Sequence, residues 1–253
     1  MNFLENNLAL ITGASSGIGA ACARVLAKNK VNLLLLARRE DKLEDLKKEL
    51  SACGVKVEIF VLDVSKKEQV TDFAKKIENY NIDILINSAG LALGLESIQD
   101  GVLENWDKML DVNIKGFLYI SRVVIPKMLK QNKGHIINLG SVAGLYSYPN
   151  GNVYCATKSA VHSLSKAMNA DLFGSAIKVS NIAPGAVETE FSSVRFKGDE
   201  KKSAQVYEGY KPLEACDIAD LIFYVLNTPK HVNIQDVNIM PTAQRNPYLL
   251  AKS

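Results

Sequence analysis

The sequence predicts an α/β fold: a single domain over residues 1–253, with a doubly wound parallel sheet and helices on both faces. Short apolar runs alternate with stretches of helical spacing along the whole chain, and this alternation is typical of parallel strands joined by right-handed crossover helices. Residues 31–37 form a nearly unbroken apolar run, which indicates a strand buried on both faces. The chain has 253 residues, 47% of them hydrophobic, so it can bury one sizeable core.

Seven apolar runs predict the strands of the sheet. They cover residues 8–12, 31–37, 57–62, 82–87, 135–140, 177–183 and 233–240. Helical spacing predicts helices over residues 20–29, 42–53, 65–80, 153–173 and 217–226, and two more that flank Asn113 and run on to residue 129. Ser65, with Glu68 three residues later, predicts a capping box at the start of the third helix.

Residues 191–212 fit this plan poorly, because they are polar and charged and have no clear periodicity. We therefore expect an irregular segment there. Long irregular segments in compact domains are often lids or binding loops, so this segment is the predicted substrate lid.

Composition argues against several classes of protein. The formal net charge of +3 arises from mixed signs spread along the chain, which argues against a nucleic-acid partner. No apolar run approaches 18 residues, so no membrane span is expected. The N-terminus has no signal-peptide pattern, and the four cysteines form no Cys-x-x-Cys pair. We expect a cytoplasmic protein with reduced thiols and, since no two of its three histidines have metal-ligand spacing, no bound metal.

A glycine-rich turn joins the first predicted strand to the first predicted helix. It reads Thr-Gly-Ala-Ser-Ser-Gly-Ile-Gly over residues 12–19. Glycine permits a tight turn and lets the backbone approach a phosphate, while the helix N-terminus adds unpaired N–H groups and the positive end of the helix dipole. In this context the turn predicts a dinucleotide site on a Rossmann fold; an ordinary glycine-rich loop is the alternative.

The end of the second predicted strand indicates which dinucleotide binds. NAD enzymes usually place Asp or Glu there to accept hydrogen bonds from the ribose 2′-hydroxyl. This chain has Arg38 and Arg39 instead. A 2′-phosphate is a dianion that suits an arginine fork, so NADP is the predicted cofactor. The alternative is that both arginines only cap the strand end in water.

Tyr154 and Lys158 stand four residues apart in a predicted helix and so share one helix face; taken alone, this spacing usually indicates only an amphipathic helix. They lie downstream of Ser141, which follows the fifth predicted strand, and open α/β sheets bind ligands at the carboxyl ends of their strands. A phenol with a pKa of about 10 is a poor base at neutral pH. A lysine ammonium about 4 Å away would contribute roughly 4 kcal/mol. We therefore expect a pKa of about 7 for Tyr154, which suits general acid–base catalysis.

Together these motifs resemble those of the short-chain dehydrogenase/reductase family, in order and at family spacing through nearly the whole chain. The family carries Thr-Gly-x-x-x-Gly-x-Gly at the first turn, Asn-x-Ala-Gly after the fourth strand and Pro-Gly after the sixth, seen here at residues 12–19, 87–90 and 184–185. The resemblance implies that the cofactor is contacted by Gly13, Ser15, Ser16, Gly17, Ile18, Gly19, Arg38, Arg39, Asp63, Val64, Asn87, Ala89, Gly90, Tyr154, Lys158, Pro184, Gly185, Val187 and Thr189.

The resemblance also implies roles for four catalytic residues. Tyr154 is the expected acid and base, and Ser141 the donor that fixes the substrate oxygen. Lys158 would lower the pKa of Tyr154 and hold the nicotinamide ribose, and Asn113 would support a water-linked proton path through Lys158. The family usually forms homo-oligomers, and we expect a homotetramer.

Three stretches resemble the NADP-dependent 3-hydroxy acid (serine-type) dehydrogenases within this family. They cover residues 90–94 and 190–198 and the tail from 231–234 through 241–244. Members of that group oxidise L-serine, L-allo-threonine or 3-hydroxyisobutyrate-like acids and reduce related semialdehydes. The resemblance therefore implies a small-molecule substrate that carries a carboxylate.

A partly desolvated carboxylate requires an arginine or a lysine. We expect Arg195 to contact it, in a substrate site formed with Ser141, Tyr148 and Tyr154. The alternative is that Arg195 pairs with a neighbouring acid, Glu190 or Asp199.

Two other functions remain open. An NADPH-dependent carbonyl or 3-ketoacyl reductase would share all four catalytic residues. A non-catalytic NADP sensor would keep the glycine turn, but it would have no need of the complete set of Asn113, Ser141, Tyr154 and Lys158.

Overall fold

The computed structural model describes residues 2–252, and a seven-stranded parallel sheet lies at its centre. The strands are β1 (Leu8–Thr12), β2 (Asn32–Ala37), β3 (Val57–Val61), β4 (Ile84–Asn87), β5 (Gly134–Leu139), β6 (Ile177–Pro184) and, after two strands described below, β9 (Asp236–Ile239). Their order in the sheet is β3-β2-β1-β4-β5-β6-β9. The predicted doubly wound sheet is confirmed.

Nine α-helices lie within the described residues. They are α1 (Gly17–Lys28), α2 (Glu40–Ser51), α3 (Lys67–Lys76), α4 (Leu103–Leu110), α5 (Phe117–Gln131), α6 (Asn152–Asp171), α7 (Glu190–Arg195), α8 (Glu200–Gln205) and α9 (Ala215–Leu226). A π-helical turn, Asp111–Gly116, joins α4 to α5. Among residues 2–252, no helix is both long and apolar enough to cross a bilayer.

Two hydrophobic cores, one on each face of the sheet, hold these layers together. Successive side chains of a strand point to opposite faces, so Leu33 and Leu35 of β2 belong to one core while Leu34 and Leu36 belong to the other. The first core contains side chains of α1, α2 and α9, and the second contains side chains of α3, α5 and α6. The central strands β1, β2, β4, β5 and β6 are therefore buried on both faces, as their apolar runs predict, whereas the edge strands β3 and β9 are partly exposed.

The strand order reverses at β1, because β1 pairs with β2 on one side and with β4 on the other. The chain winds outward in opposite directions from this point. Loops at the carboxyl ends of β1 and β4 therefore diverge and leave a crevice, which is where open α/β sheets bind ligands.

Two local predictions are wrong. The segment 191–212 is not irregular: it contains α7 and α8, and a two-residue strand on either side, β7 (Val187–Glu188) and β8 (Leu213–Glu214), which pair with each other. Both helices are stabilised by side-chain caps, since Thr189 Oγ1 accepts from the N–H of Phe191 and Asp199 Oδ1 accepts from the N–H of Lys202.

The predicted capping box at Ser65 is also absent. Helix α3 begins at Lys67, and the Ser65 hydroxyl instead donates to Asp63 Oδ1 at 2.7 Å. The neighbouring carboxylate offers this hydroxyl a charge-assisted hydrogen bond, which is stronger than a neutral one.

Candidate active site

A cavity of about 360 Å³ opens at the carboxyl ends of the central strands. Most of the predicted cofactor and catalytic residues line it. The predicted residues that line the cavity are Gly13, Ser15, Ser16, Gly17, Ile18, Arg38, Arg39, Asp63, Val64, Ala89, Gly90, Ser141, Tyr154, Lys158, Pro184, Gly185, Val187 and Thr189. Residues that are far apart in the chain thus meet in one crevice.

The glycine turn shapes one wall of the cavity. Gly13 and Gly17 have φ angles of +66° and +52°, a region that residues with a Cβ rarely adopt. A Cβ on Gly13 would lie 2.9 Å from the Ala89 Cα. Helix α1 begins at Gly17, three residues earlier than predicted, so the turn itself forms the start of the helix. Its N-cap, Ser16, makes no side-chain capping bond, which leaves the N–H groups of the first turn available to an anion.

Gly19 and Asn87 do not line the cavity, although both were predicted to contact the cofactor. A Cβ on Gly19 would collide with the carbonyl oxygen of Gly13, so Gly19 lets α1 pack against the turn. The Asn87 amide lies beneath the cavity and donates to Ser121 Oγ at 3.2 Å and to Asn138 Oδ1 at 3.0 Å. Both residues support the wall of the site rather than forming its surface.

Thr12 fixes the loop after β4 and was not among the predicted site residues. Its buried hydroxyl accepts from the N–H groups of Ser88 and Ala89, at 3.0 Å each. The first and fourth strands are thereby joined at the point where the crevice opens. Its position, as a hydroxyl residue at the end of the apolar strand β1, is a sequence feature that could have identified it.

At the far end of the cavity lie Arg38 and Arg39. Arg39 forms an ion pair with Glu190 at 2.9 Å, and its guanidinium also donates to Ser15 Oγ at 3.2 and 3.3 Å. The charge of Arg38 acts on the Asp63 carboxylate. Two guanidinium groups at a strand end beside a glycine turn fit a phosphate dianion.

Tyr154 and Lys158 project from α6 toward Ser141, which follows β5. The Lys158 ammonium is buried and donates to the carbonyl oxygen of Leu139 at 2.7 Å. Ser141 begins a short 3₁₀ turn in which its hydroxyl accepts from the N–H of Ala143 at 3.1 Å. The strand end and the helix face predicted from the sequence therefore meet.

The electrostatics of Tyr154 differ from the prediction. Burial raises the pKa of the phenol above its ordinary value, and the nearby Tyr148 adds to this; hydrogen bonding with Ser141 and the positive charge of Arg195 oppose it only in part. Burial also lowers the pKa of Lys158 to about 8. The expected pKa of about 7 for Tyr154 is wrong here, because the cost of removing the phenolate from water exceeds what its neighbours supply.

Asn113 lies on the π-helical turn between α4 and α5 and is buried. Its Oδ1 accepts from the N–H of Leu91, and its Nδ2 donates to the carbonyl oxygen of Leu91 and to Thr157 Oγ1, at 2.8 to 3.0 Å. A Cβ on Gly90 would lie 3.4 Å from Asn113 Oδ1 and 3.5 Å from Lys158 Nζ. Asn113 and Lys158 therefore face each other across Gly90, although Asn113 does not line the cavity.

Arg195 and Tyr148 lie beside Tyr154, just outside the cavity lining. Arg195 donates to the carbonyl oxygen of Gly94 at 3.1 Å and to the Tyr148 hydroxyl at 2.9 Å. Its guanidinium carbon lies 5.6 Å from the centre of the Tyr148 ring and 5.7 Å from that of Tyr154. The alternative partner Glu190 is paired with Arg39 instead.

Apolar residues of α7 complete the site and were not predicted individually. Phe191 and Val194 line the cavity, and the ring centre of Phe191 lies 5.5 Å from that of Tyr154. Their position depends on the cap at Thr189, a feature that hydrophobic periodicity does not reveal.

Comparisons with known proteins agree with this geometry. A family profile described as short chain dehydrogenase matches residues 7–200. The NADP-dependent 3-hydroxy acid dehydrogenase of Salmonella typhi is 42% identical over 240 residues, which cover 94% of this chain and 96% of that protein. Sulfoacetaldehyde reductase 2 of Chromohalobacter salexigens is 40% identical over 242 residues, 94% of this chain and 96% of that protein. The closed form of a serine dehydrogenase complexed with NADP⁺ superposes with a TM-score of 0.91 at 39% identity, over 97% of this chain and 99% of that one.

Proposed function

This chain belongs to the short-chain dehydrogenase/reductase family of oxidoreductases, and on that premise we propose that it transfers a hydride between NADP and a small 3-hydroxy acid such as L-serine or L-allo-threonine, or the matching carbonyl compound. The observation that carries the proposal is the position of Arg195, whose guanidinium lies 5.7 Å from the ring of the proposed proton donor, Tyr154. A cation at this point can hold an acid group of a substrate whose reacting oxygen lies at Tyr154.

The residues of the cavity fit NADP. Gly13 lets the turn pack against the loop after β4, since a Cβ there would meet Ala89. The uncapped start of α1 lies at the cavity, where its N–H groups can bind a pyrophosphate. Arg38 and Arg39 would hold the 2′-phosphate. A relative that matches 94% of this chain is named NADP-dependent, and the serine dehydrogenase that superposes on 97% of it is complexed with NADP⁺. Lys158, Pro184 and Gly185 line the opposite end, where the nicotinamide would lie. When bound, the cofactor supplies or accepts the hydride.

Tyr154 acts as the proton donor during carbonyl reduction and as the acceptor during oxidation. Because burial raises the pKa of the phenol, it is protonated at neutral pH and ready to give a proton to a carbonyl oxygen. Ser141 donates a hydrogen bond to the same oxygen and fixes its position. The Lys158 ammonium, whose pKa burial lowers to about 8, can exchange a proton near neutral pH, and Asn113 keeps the Leu91 loop in place beside it.

The names of the relatives favour an acidic substrate. A 3-hydroxy acid and sulfoacetaldehyde both carry an anionic group one carbon away from the carbon that reacts. Arg195 therefore suits either a carboxylate or a sulfonate, and reduction of a small sulfonated aldehyde is the second candidate function. Tyr148 holds the guanidinium in place through its 2.9 Å hydrogen bond.

The first experiment measures turnover of L-serine, L-allo-threonine and 3-hydroxyisobutyrate with NADP⁺ and with NAD⁺, and of sulfoacetaldehyde with NADPH. We expect NADP⁺-dependent oxidation of at least one hydroxy acid. Reduction of sulfoacetaldehyde alone would favour the second candidate. Turnover confined to neutral ketones or 3-ketoacyl thioesters would overturn the acid substrate, and no turnover of any compound would favour a non-catalytic NADP sensor.

The role of each site residue is tested by substitution. Arg195→Ala should reduce kcat/KM for the acid roughly 10- to 100-fold, the size of a lost charge-assisted hydrogen bond, and should change kcat/KM for a neutral ketone much less. Equal losses on both substrates would refute the carboxylate role. Tyr154→Phe should lower kcat by at least about 10²-fold while binding of NADP⁺ persists.

We also propose that residues 191–212 form a lid over the substrate. Its helix α7 carries Phe191 and Val194 on the cavity side and Arg195 against Tyr154. Hydrogen exchange of residues 190–196 should slow when substrate and NADP⁺ bind together. Unchanged exchange would exclude a closing lid.

A homotetramer is the proposed assembly. Large apolar side chains stay exposed on α4, α5 and α9, where Leu103 is 63%, Leu129 48% and Tyr224 66% exposed, and β9 leaves one edge of the sheet unpaired. Surfaces of this kind commonly mark contacts between subunits. Light scattering should give four times the chain mass of 27.7 kDa, and a monomeric mass would overturn the proposal.

We further propose a cytoplasmic location, which is supported by the four free cysteines, Cys22, Cys53, Cys155 and Cys216. Free thiols are typical of reducing compartments. Recovery of the protein in a periplasmic or secreted fraction of its host would contradict this location.

A further inference from the structure

Glu190 and Arg39 form an ion pair across the mouth of the cavity, between the loop after β2 and the first residue of α7. Arg39 Nη2 lies 2.9 Å from Glu190 Oε2. The hydrogen bond from Arg39 lowers the pKa of Glu190, so the carboxylate is charged at neutral pH. Both side chains are about half exposed, at 43% and 51%.

Glu190 lies between two residues, Thr189 and Phe191, that line the cavity. Thr189, which lines the cavity, caps α7, and Phe191 lies against the Tyr154 ring. Hydrogen bonding with Ser16, on the glycine turn, also lowers the pKa of Glu190. The carboxylate therefore contacts the two elements that the proposed function assigns to the phosphates of NADP.

We propose that Glu190 is a specificity-determining residue that competes with the cofactor 2′-phosphate for Arg39. The inference rests on the proposed function, since it takes NADP as the cofactor. A carboxylate and a phosphate both prefer to bind a guanidinium fork in the bidentate manner, and one fork cannot hold both at full strength. A dinucleotide without a 2′-phosphate has no group that displaces Glu190.

The competition reduces preference for NADP over NAD without abolishing it. Arg38, whose charge acts on the Asp63 carboxylate, lines the cavity and stays available to the phosphate. Because a half-exposed ion pair is weak, the loss of affinity that Glu190 causes should be roughly two- to fivefold. Lys42 lies near enough to act on the Glu190 carboxylate, so the Lys42→Met variant tests whether the effect depends on Arg39 alone.

Calorimetry with two fragments of the cofactor tests the proposal without any substrate. Adenosine 2′,5′-bisphosphate carries the 2′-phosphate and 5′-AMP lacks it. We expect Glu190→Gln to tighten binding of the bisphosphate roughly two- to fivefold and to leave 5′-AMP unchanged. Glu188→Gln removes the same charge two residues earlier, outside the cavity lining, and should change neither constant.

A double-mutant cycle with Arg39→Met separates competition from simple charge repulsion. Competition predicts that Glu190→Gln has no effect once Arg39 is gone, and that Lys42→Met leaves the effect intact. An undiminished effect in the Arg39→Met background would overturn the proposal, as would a bisphosphate affinity that Glu190→Gln leaves unchanged or weakens. If the wild-type protein itself prefers 5′-AMP, the NADP assignment fails first.

Discussion

Lys158 combines a proposed catalytic position with a measurable cost to stability. Burial lowers the pKa of its ammonium from 10.5 to about 8. In the unfolded chain the same lysine titrates near its ordinary value of about 10.4. Between these two values the unfolded chain binds a proton that the folded protein does not, so the free energy of unfolding rises with pH through that window. Below pH 8 the full cost of the buried charge is present.

We predict that Lys158→Met removes this pH dependence. A shift of about 2.5 pKa units corresponds to about 3 kcal/mol. The free energy of unfolding of the wild type, minus that of the variant, should therefore rise by about 3 kcal/mol between pH 7 and 10.5. At pH 7 the variant should gain less than about 3 kcal/mol in free energy of unfolding, because a second effect opposes the gain. Methionine leaves the Leu139 carbonyl without its 2.7 Å hydrogen bond, which costs about 1–3 kcal/mol.

Urea unfolding at fixed protein concentration, in steps from pH 7 to 10.5, measures both proteins. Groups remote from residue 158 titrate equally in the two chains, so the difference reports on Lys158 and the groups it contacts. Lys166→Met, at an exposed position of the same helix, should keep the wild-type dependence. A difference between wild type and Lys158→Met that stays flat with pH would refute the reasoning, because burial would then not set the protonation of this lysine.

Three further predictions follow from buried contacts. Thr157→Val removes the hydroxyl that accepts from Asn113, so the free energy of unfolding in urea should fall by about 1–3 kcal/mol. The control Thr71→Val, on the exposed face of α3, should lower it by at most about 0.5 kcal/mol. Equal losses in the two variants would contradict a buried role for the Thr157 hydroxyl. In Gly19→Ala the new methyl group would overlap the Gly13 carbonyl. The variant should therefore bind adenosine 2′,5′-bisphosphate more weakly and have a free energy of unfolding lower by about 1–3 kcal/mol. Wild-type affinity in calorimetry would contradict the predicted loss of binding. Burial lowers the pKa of His135 to about 3, so stability falls as pH falls from about 6.5 toward 3. His135→Leu should therefore lose about 3 kcal/mol less than the wild type between pH 7 and 4, and parallel losses in acid unfolding would rule out a neutral buried imidazole.

The strands were the most predictable elements. Their apolar runs predicted all seven strands of the main sheet to within three residues at each end. The central strands gave the clearest runs, because a strand covered on both faces must be apolar along its length. Helix ends were less predictable, since they depend on caps. Ser65 had the right spacing for a capping box, yet its hydroxyl donates to Asp63 instead, because the loop before α3 brings that carboxylate close to it.

The site divides in the same way. The spacing of Tyr154 and Lys158 predicted that they share a helix face downstream of Ser141, and the family resemblance supplied the roles of all three residues. The partners of Thr12, Thr157 and Glu190 were not predictable, since each partner lies more than 40 residues away in the chain. Nothing in the local pattern around these residues indicates the partner.

The sequence by itself determined the order of strands and helices, the glycine turn, the paired arginines and the spacing that places Tyr154 and Lys158 on one face of α6, because each of these is a short-range pattern of residue type and spacing. The tertiary structure decided which side chains are desolvated and which charges are paired. It therefore decided that the pKa of Tyr154 is raised rather than lowered, that Arg195 lies against two tyrosine rings, and that Glu190 is bound to Arg39. Desolvation and charge pairing depend on distances between residues remote in the chain, and only the packed fold sets those distances.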